Sequence, residues 1–88
     1  MSCDYTINMS DPLSISCEKG ETVCWHNPNP KGGITLTATP SKGWPWGGKS
    51  SIAVAPGNTA GPYLCKNSGD YSYNVGQGGT NPVIVVTP

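Results

Sequence analysis

The sequence predicts an all-β fold, a sandwich or small barrel of seven to eight short strands, and three observations carry that reading. Apolar residues alternate over short runs and nowhere hold the three-to-four spacing of a helix. Clusters of Gly, Pro and Asn separate the runs and supply the backbone freedom that turns need. The runs recur at the spacing expected of strands folding back on one another in a sandwich or barrel.

Taken in order, the runs are "CDYTINM" (3–9), "LSIS" (13–16), "TVCWHN" (22–27), "ITLTAT" (34–39), "SIAVA" (51–55), "YLC" (63–65), "DYSYNV" (70–75) and "VIVVT" (83–87). Between them, "EKGE", "NPNPKGG", "APGNTAGP", "KNSGD" and "GQGGTNP" read as turns. No internal repeat, linker or low-complexity tract interrupts the chain, so residues 1–88 are expected to form a single domain. Trp25 alternates in phase with Val23 and is expected in the core. Tyr71 and Tyr73 share a face with Val75, and the rings should pack inward with their hydroxyls reaching a turn.

A chain of 88 residues buries too little surface to be comfortable without a covalent staple. Cys3, Cys17, Cys24 and Cys65 offer one. An even cysteine count in a short chain rich in Gly and Pro reads as a disulfide framework formed in an extracellular or periplasmic setting. The alternative is buried free thiols in a cytosolic protein, since Cys also serves as an apolar core residue. No apolar run approaches the ~20 residues of a membrane-spanning helix. The opening "MSCDYT" holds no signal-peptide core and is read as a start that replaces a removed leader.

Five Lys, no Arg and five singly spaced acids give zero net charge, which supplies no electrostatic footprint for nucleic acid. Glycine-rich "GQGG" and "WGGK" lack a following helix and carry no phosphate-loop meaning. Glu18 and Glu21 flank a Lys-Gly turn and are expected in solvent. His26 would have to activate Cys24 or a serine for covalent catalysis, but same-face strand neighbours stand about 6–7 Å apart. The chain is therefore not expected to be an enzyme, and no cofactor is expected.

Several segments together resemble the cupredoxins, and the resemblance implies a small Greek-key β-sandwich. "ISCEKGETVCWHNPN" resembles their strand, Lys-Gly-acid turn and Val-x-Trp-x-Asn pattern; "APGNT" is similar to the Pro-Gly turn that follows; "SGDYSYNV" resembles the Gly-x-Tyr-x-Tyr strand, and "PVIVV" the closing strand. An immunoglobulin-like sandwich is the runner-up, but its cysteine follows the tyrosine by two residues, where this chain has Tyr73. The resemblance implies copper ligands near Gly33, Val75 and Gly78, positions without metal-binding side chains. A blue-copper centre needs two imidazoles and a thiolate, and this sequence has one histidine, so one chain cannot assemble it. The register implied by the resemblance places Cys17 and Cys65 facing inward at one end of the sandwich. It implies a Cys17–Cys65 pairing and, with the first strand beside the third, a Cys3–Cys24 pairing.

The remaining functional candidate is "KGWPWGGK". Two indoles fixed about a proline and bracketed by glycines form a rigid aromatic surface of the kind that engages peptides, proteins or sugars. Trp44, Trp46, Lys42 and Lys49 are the candidate binding residues, against the alternative that the indoles cap an open end or edge of the sandwich. Asn8-Met9-Ser10 is an N-glycosylation sequon, meaningful in a eukaryotic secretory route. The sequence thus points to a non-catalytic interaction or structural module whose partner is a protein or carbohydrate. Two other classes stay open: a metal carrier using Cys24, His26 and further thiols, and a self-assembling surface or virion component.

Overall fold

The computed structural model describes residues 3–11, 14–39, 41–76 and 81–88. The described residues form eight strands and no helix: β1 (Tyr5–Asn8), β2 (Ile15–Glu18), β3 (Thr22–His26), β4 (Ile34–Ala38), β5 (Ser51–Val54), β6 (Thr59–Leu64), β7 (Gly69–Val75) and β8 (Val83–Thr87). No helix is long and apolar enough to cross a membrane among them.

Two sheets make a sandwich-like, all-β fold. One has the order β1-β3-β6 and the other β2-β8-β7-β4-β5. Two pairs are parallel, β1 with β3 and β2 with β8, while β3–β6, β4–β5, β4–β7 and β7–β8 are antiparallel. A parallel pair needs a crossover connection. Here the chain supplies it by alternating between sheets: β1 and β3 flank β2, which lies in the other layer.

Strand alternation sends one face of each sheet inward. Ile7, Val23 and Trp25 from the three-stranded sheet meet Cys17, Leu36, Ala38, Val54, Tyr71, Tyr73, Ile84 and Val86 from the five-stranded sheet in one apolar cluster. Trp25 and Val23 are fully buried, as their phase predicts. Tyr73 is buried with its hydroxyl on Trp25, and the Tyr71 hydroxyl reaches the carbonyl oxygens of Asn67 and Ser68 in the turn before β7.

One boundary departs from the sequence reading. Thr59 to Pro62 was expected to be turn, yet these residues open β6, which runs from Thr59 to Leu64. A proline is tolerated because β6 is an edge strand and needs to donate on one side alone. The ladder to β3 shifts register between Val23 and Trp25, and Gly61 lies opposite with φ of 119°. A side chain there would crowd the Cys24 sulfur at 2.8 Å and the Val23 carbonyl at 2.9 Å. Gly61 is thus fitted to the disulfide that joins Cys3 to Cys24 on the outer face of this sheet.

At one end of the sandwich, the buried Asn27 gathers three segments. Its side-chain amide donates to the carbonyl oxygens of Gly32 at 2.9 Å and Val54 at 3.1 Å, and its side-chain oxygen accepts from the Asn29 backbone at 3.0 Å. At the other end, Glu21 accepts from the Tyr5 hydroxyl and the Glu18 backbone. That contact with Glu21, more than burial, raises the Tyr5 phenol above its usual value. Of the glycine-rich segment before β8, Gln77, Gly78, Gly79 and Thr80 lie outside the described residues, as does Leu13 at the start of the second run.

Candidate functional site

The chain between β4 and β5 folds back across the side of the sandwich where β5 and β6, edge strands of different sheets, come together. Its anchors are both local and remote: the amides of Lys42 and Gly43 bond the Thr39 carbonyl, Gly47 bonds that of Trp44, and Asn67, beyond β6, bonds the Pro45 carbonyl through both backbone and side chain. Gly43, Gly47 and Gly48 all have positive φ, a region that glycine enters without strain. The result presses "WPW" against the core.

The two indoles take different places. Trp44 is a core residue, 3% exposed, while Trp46 is half-buried. Trp46 lies nearly parallel to Trp44, centroids 5.3 Å apart at 8°, and nearly parallel to Tyr63 of β6 at 4.8 Å and 18°. Trp25 meets both indoles edge-on at 5.4 and 5.6 Å. Such contacts add about 0.5–1.5 kcal/mol each beyond the area they bury, which explains why the loop docks. Trp44 Nε1 is buried without a hydrogen-bond partner.

Beside this stack opens a cavity of about 250 Å³ lined by Trp46, Gly47, Gly48, Lys49, Ser51, Ile52 and Tyr63. Trp46, Ile52 and Tyr63 make its wall, and burial pushes the Tyr63 phenol above its usual value. Among the described residues, Lys49 is the one charged side chain of the lining. Of the four binding residues drawn from the sequence, the fold brings Trp46 and Lys49 together. Trp44 is withdrawn into the core, and Lys42 instead has its ammonium 5.6 Å from the Tyr71 ring centroid. Tyr63 and Ile52 were missed as site residues because each sits in an ordinary strand run, and their meeting depends on how the two sheet edges align.

The other candidates fall elsewhere. Cys24 is 2% exposed and bonded to Cys3, so its sulfur is unavailable to a metal or as a nucleophile, and the Cys24/His26 pair offers one imidazole alone. His26 Nδ1 is within 3.0 Å of the Thr59 hydroxyl. Cys17 and Cys65, the second pair that the resemblance implies, are both buried and unbonded in this structure, with their sulfurs 2.6 Å apart. Burial is the first cause that raises both, Cys65 to about 12. Among the described residues no three His, Cys, Asp or Glu side chains gather as a metal site. A second cavity, about 260 Å³, lies between edge strands β1 and β2 and is lined by Thr6, Ile7, Asn8, Asp11 and Ile15. The exposed sequon residue Asn8 accepts from the Ser10 backbone and hydroxyl at 2.9 and 2.8 Å.

No family model matches the chain, and neither a curated protein nor a solved structure matches it.

Proposed function

We propose that the chain is a cupredoxin-like Greek-key sandwich without type-1 copper ligands, acting as a non-catalytic secreted or periplasmic interaction module through the cavity between Trp46, Lys49 and Tyr63. The observation that carries the binding reading is that cavity, an apolar recess with one cation at a seam between sheet edges. Sites for small groups are concave, mostly apolar and oriented by a few polar groups. The family reading draws support from β1 lying beside β3 and from β7 pairing with β8 around the glycine-rich segment. It is also consistent with the end shared by Gly33 and Val75: Leu36 of β4 opposes Val75, and the Gly76 amide bonds the Thr35 carbonyl at 2.8 Å. The Cys3–Cys24 disulfide favours an oxidising compartment.

The test is a screen of arrayed peptides and glycans with the wild type and with Trp46→Ala and Lys49→Gln, each shown by melting to be folded at the assay temperature. Binding that both substitutions weaken supports the cavity. Binding that neither alters, or none to either array, overturns it.

A further inference from the structure

We infer that the cavity receives the C-terminal residue of an extended peptide that adds to β5 as a further strand. This rests on the cavity being the binding site and names the partner's chemistry. β5 is the outer strand of its sheet, paired to β4 on one side alone. Its residues, Ser51-Ile52-Ala53-Val54, carry no charge and no proline, and their register with β4 is regular. Edge strands are commonly guarded by charges, prolines or bulges, as β6 is by Pro62 and the register shift opposite Gly61. Within Ser51–Val54, β5 carries no such charge, proline or register shift.

The cavity adds what a bare edge lacks. Residues directly opposite one another on neighbouring strands project to the same face. A peptide residue opposite Ile52 would therefore send its side chain toward Trp46 and Tyr63, where about 250 Å³ is open. That is below the ~300–1,000 Å³ range for drug-sized ligands and suits one aliphatic side chain. Lys49 precedes β5 by two positions, next to Gly47 and Gly48, where a side chain would meet nothing within 4 Å. A carboxylate at that end has a cation to meet and, among the described residues, no acidic lining residue to repel it. Because Lys49 lies before the start of β5, the peptide ends there and runs antiparallel to it. Main-chain bonds to the edge then give affinity and the pocket gives selectivity, as in other strand-addition complexes.

A sugar fits less well. A glycan platform needs a free ring face and several polar side chains, whereas Trp46 is stacked with Trp44 and Tyr63 and the lining offers Ser51 and Lys49.

The experiment uses pools of acetylated hexapeptides, randomised except for a final Leu or Val, with a free carboxylate or a C-terminal amide. Amide NMR shifts of the intact, oxidised protein are the readout. The free-acid pools should shift the β5 amides and the Trp46 indole and slow hydrogen exchange along β5. Amidation or Lys49→Gln should each weaken binding about tenfold, one exposed-to-half-buried ion pair. Equal binding of acid and amide pools overturns the C-terminal reading while the cavity stands. Shifts confined to other strands overturn strand addition. Binding of glycans but no peptide at the same indole also overturns this inference and leaves the cavity as the site. No binding of any probe removes both.

Discussion

The indole N–H of Trp25 donates to the Tyr73 hydroxyl at 3.2 Å inside the core, joining β3 of one sheet to β7 of the other. Tyr73→Phe deletes the acceptor and leaves a buried donor with no partner, a loss of about 1–3 kcal/mol. Tyr71→Phe should cost less, about 0.5–1.5 kcal/mol, because its hydroxyl reaches a turn at the sandwich end. Urea unfolding of the two variants gives the ranking, and the reverse order would contradict the inter-sheet role of Tyr73.

Cys17 lies in β2 and Cys65 directly follows β6, so a bond between them would tie the two sheets together. Non-reducing digestion of protein folded in air should yield a peptide linking Cys17 to Cys65; one linking Cys3 to Cys17 would sink the pairing. On the chain-entropy model this bridge stabilises by about 4 kcal/mol.

The dithiol form should reveal itself by pH. The Cys65 thiol is raised from 9.0 to about 12, and Cys17 is raised as well. A raised thiol holds its proton in the folded state after the unfolded chain has released it. Its contribution is therefore complete below pH 9 and fades as pH climbs toward 12. Protein with these two thiols free should lose stability across that window faster than protein bridged through them, measured by denaturant titration at matched pH values. Parallel curves would exclude free buried thiols at this position.

Gly61→Ala should be among the more damaging single-atom changes. The added methyl meets sulfur and carbonyl oxygen inside 3.0 Å at a φ of 119°, and strain with overpacking costs about 2–4 kcal/mol. Made in a Cys3→Ala, Cys24→Ala background, Gly61→Ala should still cost stability relative to that background, since the Val23 carbonyl remains in the way; no cost there would assign the whole effect to the sulfur contact.

Asn27→Asp tests the tether at the far end. It replaces an amide that donates to the carbonyls of Gly32 and Val54 with a buried acceptor facing them. A loss of about 2–4 kcal/mol is expected, read from the melting transition, with Asn27→Ala nearer 2 kcal/mol. An unchanged melting point would remove Asn27 from the framework.

Most strands were legible because they alternate between a wetter and a drier face; "DYSYNV" and "VIVVT" are seen within a residue of their expected bounds. Thr59–Pro62 was not, because Gly and Pro signal a turn locally, and the edge position that excuses Pro62 is a property of the assembled sheet. The candidate cavity was half legible. Paired indoles among glycines marked the loop that lines it, but the sequence holds no sign of which indole turns inward, a matter settled by packing on Trp25. Lys42 and Lys49 look alike in sequence and part company because the loop folds back between them. Tyr63 carried no signal at all, since a site at a seam is defined by two edges that are remote along the chain.

All three tryptophans of this protein belong to one aromatic cluster. Its intrinsic fluorescence is therefore a local instrument, reporting a single spot a few ångströms from the cavity. A titration that changes emission at constant far-ultraviolet dichroism would register occupancy of that spot. The same property warns against the usual shortcut: an emission-monitored melt follows the break-up of this one cluster, Trp25 with the "WPW" segment, and whether the rest of the two sheets melts at the same temperature needs a backbone probe.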